Sequence, residues 1–248
     1  MLVYKAWRES RVRFLLVLSA LVAFSLGFLL EARVHFPPPQ VPMLPYAAFV
    51  WSTFYAQQAP AAFSIVALVL GLGGLQRERA AGTAAFTLAL PVSRVQLLIA
   101  RAAVGVLELA VLAIVPAAIV PALSPALVHQ SYPVTQCLHF ASLFMSWGVV
   151  WFGTGFLWSI LFTGDYTAAV ASVLTPWAYI VVYANLSRGG RRFPSANPFA
   201  FMSGEIDFGG FARGLLTSPL PWLAMGVLGL VATALLVSAW RLTERQNF

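Results

Sequence analysis

The chain has 248 residues, of which 60% are hydrophobic and 9% charged, and its formal net charge is +7. A soluble domain carries about 25% charged residues, so this chain cannot cover its own surface with polar groups, and its solvent is lipid. Its apolar runs are continuous rather than alternating, which excludes a β-barrel. Open sheets are excluded because their backbone groups would go unpaired in hydrocarbon. The expectation is an all-α integral membrane protein, one transmembrane domain over residues 1–248. The positive charge gathers at the ends of apolar runs, where it sets topology and meets anionic headgroups of membrane lipid, so nucleic acid is not an expected partner.

In chain order, residues 1–13 predict an interfacial helix. Val3 and Trp7 share a face at i, i+4 while Lys5, Arg8, Glu9 and Arg13 lie mostly elsewhere, so the helix would rest in the headgroup layer before turning into the first span. That span is expected to be retained rather than cleaved as a signal, because the following EARVHF is a poor small-residue cleavage site. Six transmembrane helices are expected at about 14–30, 49–75, 95–120, 138–162, 168–186 and 219–240, the bilayer core of ~30 Å requiring ~20 helical residues. Pro60 predicts a kink in the second. Pro116 loosens the third, which stops near Pro121, and Pro176 lies inside the fifth. Outside the spans, residues 34–48 are Pro-rich and read as extended. Residues 187–218 form the longest non-spanning stretch, an outer helical segment whose apolar pieces PFAFM and FGGFARGLL are too short to span and read as interfacial or re-entrant. The chain shows no internal repeat, which leaves an inverted-repeat transporter unsupported.

Lys and Arg near the spans set the orientation. Lys5, Arg8, Arg11, Arg13, Arg77, Arg79, Arg94, Arg241 and Arg245 fall on one side; Arg33, Arg188, Arg191, Arg192 and Arg213 fall on the other. The balance is nine to five, and it predicts a cytoplasmic-membrane protein with both termini in the cytoplasm. The arginines of 187–213 run against that topology.

Several chemistries are missing. Lys5 is the only lysine, so no GxxxxGK[ST] phosphate loop exists. His35, His129 and His139 have no HExxH neighbour, and His139 reads as interfacial. Cys137 is the one cysteine, which excludes an intrachain disulfide and a Cys-based metal site. The run GLGG at 71–74 has Gln76 where a dinucleotide fingerprint needs its third glycine; it reads as a site of close helix packing or as a frayed end of the second span. No catalytic residue, metal or cofactor is expected in this chain.

Within the spans, Arg101 and Glu108 stand out, because intramembrane charges are costly and default to functional candidates. Seven residues apart on one helix, they are about 10 Å apart and too distant to pair, so each needs a partner on another helix or in a polar cavity. Arg101 also lies close enough to the interface to snorkel. Phe144, Trp147, Trp151, Trp158 and Phe162, with Gly153 and Gly155 among them, form a stripe that reads as lipid-facing or packing rather than as a cofactor stack. Phe49, Trp51, Phe54 and Tyr55 in the second span, with Trp177, Tyr179 and Tyr183 in the fifth, are candidates for an amphipathic substrate path.

One polar stretch interrupts the hydrocarbon: QRERAAGTAAFTLALPVSR at 76–94. Gly82 breaks the helix of the second span, Thr83 caps a short helix from Ala84 to Leu90, and Pro91 ends it. Ser93 and Gln96 form an S-x-x-Q capping box that starts the third span. A short helix across the membrane face, presenting Phe86, Leu88 and Leu90, is what a partner's groove would grip.

E-x3-G-T, an apolar run, then P-V-S-R and a long span resembles the ABC-2 type permease family; here these are Glu78, Gly82, Thr83, Pro91, Val92, Ser93 and Arg94. The basic residue that family carries about seven positions further on is matched by Arg101. The resemblance is strong over about 30 residues, and the six spans agree with it. It implies that the stretch is a cytoplasmic coupling helix docking on an ATP-binding subunit through Arg77, Glu78, Gly82, Thr83, Phe86, Leu90, Pro91 and Arg94. It also implies two permease chains, identical or related, with two ATPase copies that hold ATP and Mg2+, exporting a drug, lipid, peptide or glycan by alternating access. Read without it, the chain also admits an ion-coupled secondary transporter, with Glu108 or Asp165 carrying a proton, or a membrane enzyme acting on lipids, a reading that the scattered acids and unpaired histidines weaken.

Overall fold

Among the described residues, six helices are long and apolar enough to cross a membrane, and each covers one of the apolar runs of the sequence. The structure, a computed structural model, describes residues 2–36, 43–72, 94–162, 165–188, 196–205, 215–216 and 219–245, and every regular element among them is helical. The elements are α1 (Leu2–His35), α2 (Met43–Phe49), a π-helical segment (Val50–Gln58), α3 (Ala59–Gly71), α4 (Arg94–Leu127), α5 (Val134–Leu161), α6 (Asp165–Arg188), α7 (Pro198–Met202) and α8 (Trp222–Arg245). Helix α2, the π segment and α3 together make the second span, Tyr46–Gly71.

Four local expectations are corrected. Residues 2–13 do not turn before the first span; they continue its helix without a break. The reason is tertiary, since their polar face packs on α4. Residues 43–49 of the Pro-rich stretch are helical, not extended, because Pro45 falls in the first helical turn, where its missing N–H is not needed. The disturbance ahead of Pro60 takes the form of wider π turns rather than a plain kink: the Ala59 N–H reaches back to Phe54 O, and the helix returns to α geometry with Pro60 in the first turn of α3. Helix α4 runs through Pro116, Pro121 and Pro125 to Leu127 instead of stopping near Pro121. Neighbouring helices hold a proline-containing helix together in a membrane protein, and Val120 and Ser124 are fully buried there.

Helix α5 is the centre of the bundle, packed against α3, α4, α6, α7 and α8, while α1 packs chiefly on α4. Close approach depends on glycine. A Cβ on Gly155 would lie 2.5 Å from Leu68 O, and one on Gly71 would lie 2.8 Å from Phe156 N, so α3 and α5 touch backbone to backbone. Gly105 of α4 leaves room for the Phe152 ring. Helices α1 and α4 run parallel: Glu9 meets Arg101 near one end, while Phe36 meets Tyr46 edge to face, and Tyr46 bonds Ser124, at the other. Helix α6 folds back antiparallel on α5, with Trp158 on Thr175 and Trp147 on Tyr179.

Candidate functional site

Among the described residues, three groupings of polar side chains bear on the candidate residues. The first is the α1–α4 seam. The Arg101 guanidinium donates to Glu9 Oε2 through Nη2 at 2.8 Å and Nε at 3.2 Å, and Lys5 Nζ lies 3.7 Å from the other oxygen of Glu9. One to two turns along, the Ser10 hydroxyl donates to the Glu108 carboxylate, which also feels the charge of Arg13. Glu108 is 3% exposed. Arg101 and Glu108 are therefore not bonded to each other; each is bonded to α1.

The second joins the second span, from Trp51 to Ser64, and the segment 196–205. The one-turn helix α7 closes its own backbone. Asn197 Oδ1 accepts from the Phe199 and Ala200 N–H groups. Gly204, at φ 66, ends the turn with Glu205 N–H on Ala200 O and Gly204 N–H on Phe201 O, the Schellman arrangement. A segment satisfied in this way can enter an apolar bundle, and this one does. Phe201 and Met202 are buried, and Met202 Sδ lies 3.9 Å from Ser64 Oγ, past the midpoint of the second span. Two aromatic donors fasten it: Trp51 Nε1 to Ser203 O at 2.9 Å and Tyr179 OH to Ala196 O at 2.8 Å. Further along, the Gln136 amide exchanges two hydrogen bonds of 2.8 Å with the Leu216 backbone.

The third is the middle of α5. Trp147 and Trp151 are buried, 5.6 Å apart, and each ring packs on Tyr179, at 5.7 and 5.9 Å.

The candidate path residues separate. Phe54 and Tyr55 are wholly buried, closed by ring contacts with Phe28 at 4.8 Å and Phe140 at 3.9 Å; they are core. Phe49 packs on Phe28 and Phe36. Trp177 faces outward, 69% exposed, whereas Trp51 and Tyr179 hold α7 in place. Tyr183 is half-buried one turn beyond Tyr179. Outside the spans, burial pushes the Tyr132 phenol well above its ordinary pKa and keeps it neutral.

Of the coupling stretch, Arg77, Glu78, Gly82, Thr83, Phe86, Leu90 and Pro91 lie outside the described residues, as does the side chain of Arg94, whose backbone opens α4. Gly71, closing α3, and Arg94 lie at the bundle end that also holds the N-terminal turns of α1. Among the described residues no three His, Cys, Asp or Glu side chains form a metal-holding group. PFAFM reads from the sequence as interfacial or re-entrant, and the structure buries it as a one-turn helix; the N-P…S-G pattern at Asn197–Pro198 and Ser203–Gly204 is a cap signal at both ends. Sequence reasoning missed Glu9 and Ser10 as partners for the α4 charges.

The fold defines a helical membrane protein with six membrane-length helices. No family model and no curated protein matches the chain.

Proposed function

We propose that the chain is the membrane-spanning permease of an ATP-driven exporter of the ABC-2 type. It pairs with two copies of a separate ATP-binding subunit and with a second permease chain, and it moves an amphipathic substrate across the cytoplasmic membrane with both termini in the cytoplasm. The observation that carries this reading is the Glu78–Gly82–Thr83…Pro91–Val92–Ser93–Arg94 pattern between the second and third spans. The bundle supports it in two ways. The stretch joins helices that end at the same face as the basic N-terminus. Helix α4, which follows it directly, is bonded to α1 through Arg101–Glu9 and Glu108–Ser10, so a push on the stretch would move two spans together. With Lys5 as its only lysine, the chain leaves ATP and Mg2+ to the partner.

The test is purification from native membranes. The expected result is a co-purifying ATPase subunit whose turnover disappears when it is removed. ATP turnover that stays with this polypeptide alone would overturn the proposal. External labelling of a cysteine at position 80 in intact cells, on a Cys137-free background, would overturn the topology.

A further inference from the structure

An indole N–H is a strong donor, and in a buried tryptophan it ordinarily finds an acceptor. Trp51 and Trp158 conform: their Nε1 atoms donate to Ser203 O at 2.9 Å and Thr175 Oγ1 at 2.8 Å. Trp147 and Trp151 do not. They are 4% and 2% exposed, and neither Nε1 has an acceptor among the described residues. Their place makes this costly. Helix α5 runs from Val134 to Leu161, so Trp147 is at its midpoint and Trp151 one turn further on, at the depth where a spanning helix has no bulk water or headgroup to turn to.

The surroundings specify what would fit. Both rings pack on Tyr179, whose own hydroxyl is committed to Ala196 O. Tyr179 is half-buried and stands on α6, the span that shares with α8 the smallest buried fraction. All three side chains are uncharged, and an anion placed there would lack a counter-ion. Two donors one helical turn apart suit two acceptor oxygens on one apolar body.

We propose that Trp147 and Trp151 form a mid-span binding site for a neutral, membrane-partitioning molecule bearing carbonyl oxygens, an ester or lactone, with the Tyr179 ring as its side wall. Each indole N–H donates to one carbonyl. The carbonyl comes from a discrete ligand or from the ester linkage of a bilayer lipid. The site stands on the α5–α6 geometry alone and holds whether or not an ATPase drives the chain, so its test reads binding rather than transport.

The full chain, labelled with 15N at its tryptophan indoles, is placed in nanodiscs of ether-linked phosphatidylcholine, which has no carbonyl. Trp147→Phe and Trp151→Phe assign the two Nε1–H signals by their disappearance. Dioctanoylglycerol is then titrated in, with the matched dioctyl glycerol diether as control. The expected result is a saturable downfield shift of these two signals with the diester and none with the diether, while the Trp51 and Trp158 signals, already bonded, stay in place. The same shift on transfer to ester-linked lipid without added probe identifies the bilayer as the source; a shift with added diester only identifies a discrete ligand. The double phenylalanine variant keeps an aromatic ring at each position but loses both donors, and it is expected to bind the diester roughly tenfold more weakly or worse. Signals that do not move in any arm, or that move together with those of Trp51 and Trp158, overturn the proposal.

Discussion

Arg101 Nη2 and Glu9 Oε2 lie 2.8 Å apart and join the third span to the first. The Arg101 side chain is 10% exposed and that of Glu9 34%, so the pair straddles the boundary between bundle interior and surface. A hydrogen bond to a charged group contributes ~1.5–3 kcal/mol, and removing one partner also strands the other. Arg101→Ala and Glu9→Ala are each expected to destabilise the bundle by about that amount, and the Glu9→Arg, Arg101→Glu exchange to recover part of it. Thermal exposure of the buried thiol of Cys137 to a reactive fluorophore, measured in detergent, provides the readout. A double mutant with strictly additive losses would show that the two residues do not interact.

The contact of α3 with α5 is a backbone contact, and side-chain adjustment cannot relieve it. Gly155→Ala puts a methyl group 2.5 Å from Leu68 O and 3.2 Å from Leu68 Cα, and the helices must part. Overpacking of this kind costs ~1–3 kcal/mol, which for a chain of this size lowers Tm by several degrees, at ~2–4 °C per kcal/mol. Gly226 and Gly229 of α8 have nothing within 4 Å of the position a Cβ would take, so Gly226→Ala and Gly229→Ala are expected to be neutral or slightly stabilising, alanine being the better helix former. Equal Tm values for all three variants would contradict the close approach.

The wedge α7 hangs on side chains from two spans. Tyr179→Phe removes one donor to its backbone and leaves the ring in place; Trp51→Phe removes the other and puts a smaller phenyl ring where the indole stood. Each is expected to cost ~1–3 kcal/mol through the orphaned carbonyl of Ser203 or Ala196. The double variant should expose Ser203, which is 1% exposed. A cysteine at position 203, on a Cys137-free background, is expected to react slowly with a membrane-permeant maleimide when both donors are present and faster when both are gone. Unchanged reactivity would mean that packing of Phe201 and Met202 alone holds the segment.

The spans were legible because a continuous apolar run of about 20 residues in lipid has only one stable solution. The helix interiors were less so. Pro121 is a stop signal in isolation, yet α4 continues through it, because surrounding helices rather than propensity hold this part of the chain. Arg101 and Glu108 announced themselves as residues needing partners on other helices. Which helix supplied them was hidden: Glu9 and Ser10 belong to a segment whose charge suits a headgroup layer equally well. The Trp147 and Trp151 donors were invisible for a related reason, since whether an N–H is satisfied depends on neighbours far away in sequence. In Phe54 and Tyr55 the sequence shows aromatic character, but only their burial against Phe28 and Phe140 shows that they are core rather than path.

The stretch between α3 and α4 is where a partner subunit would act. If residues 83–90 dock on an ATP-binding subunit, Phe86 is their largest apolar side chain and enters its groove. Burying a phenylalanine contributes ~1.5–3 kcal/mol, so Phe86→Ala is expected to weaken assembly by roughly 10- to 150-fold. Glu78 precedes the short helix and suits either an arginine of the partner or the helix N-terminus; Glu78→Gln is expected to lower transport and transport-linked ATP hydrolysis while membrane insertion stays intact. Gly82→Val is expected to distort the break, because a β-branched residue restricts the backbone freedom that glycine supplies. Arg101→Ala is the companion variant. It leaves the stretch untouched but cuts the link from α4 to Glu9 of α1, so it is expected to keep ATPase binding while reducing transport. The measurement is pull-down of the ATPase and transport in each variant. A solvated loop predicts wild-type behaviour in the first three, and that outcome would remove the coupling assignment. Loss of ATPase binding in Arg101→Ala would instead show that the α1–α4 seam shapes the docking face itself, rather than carrying its movement into the bundle.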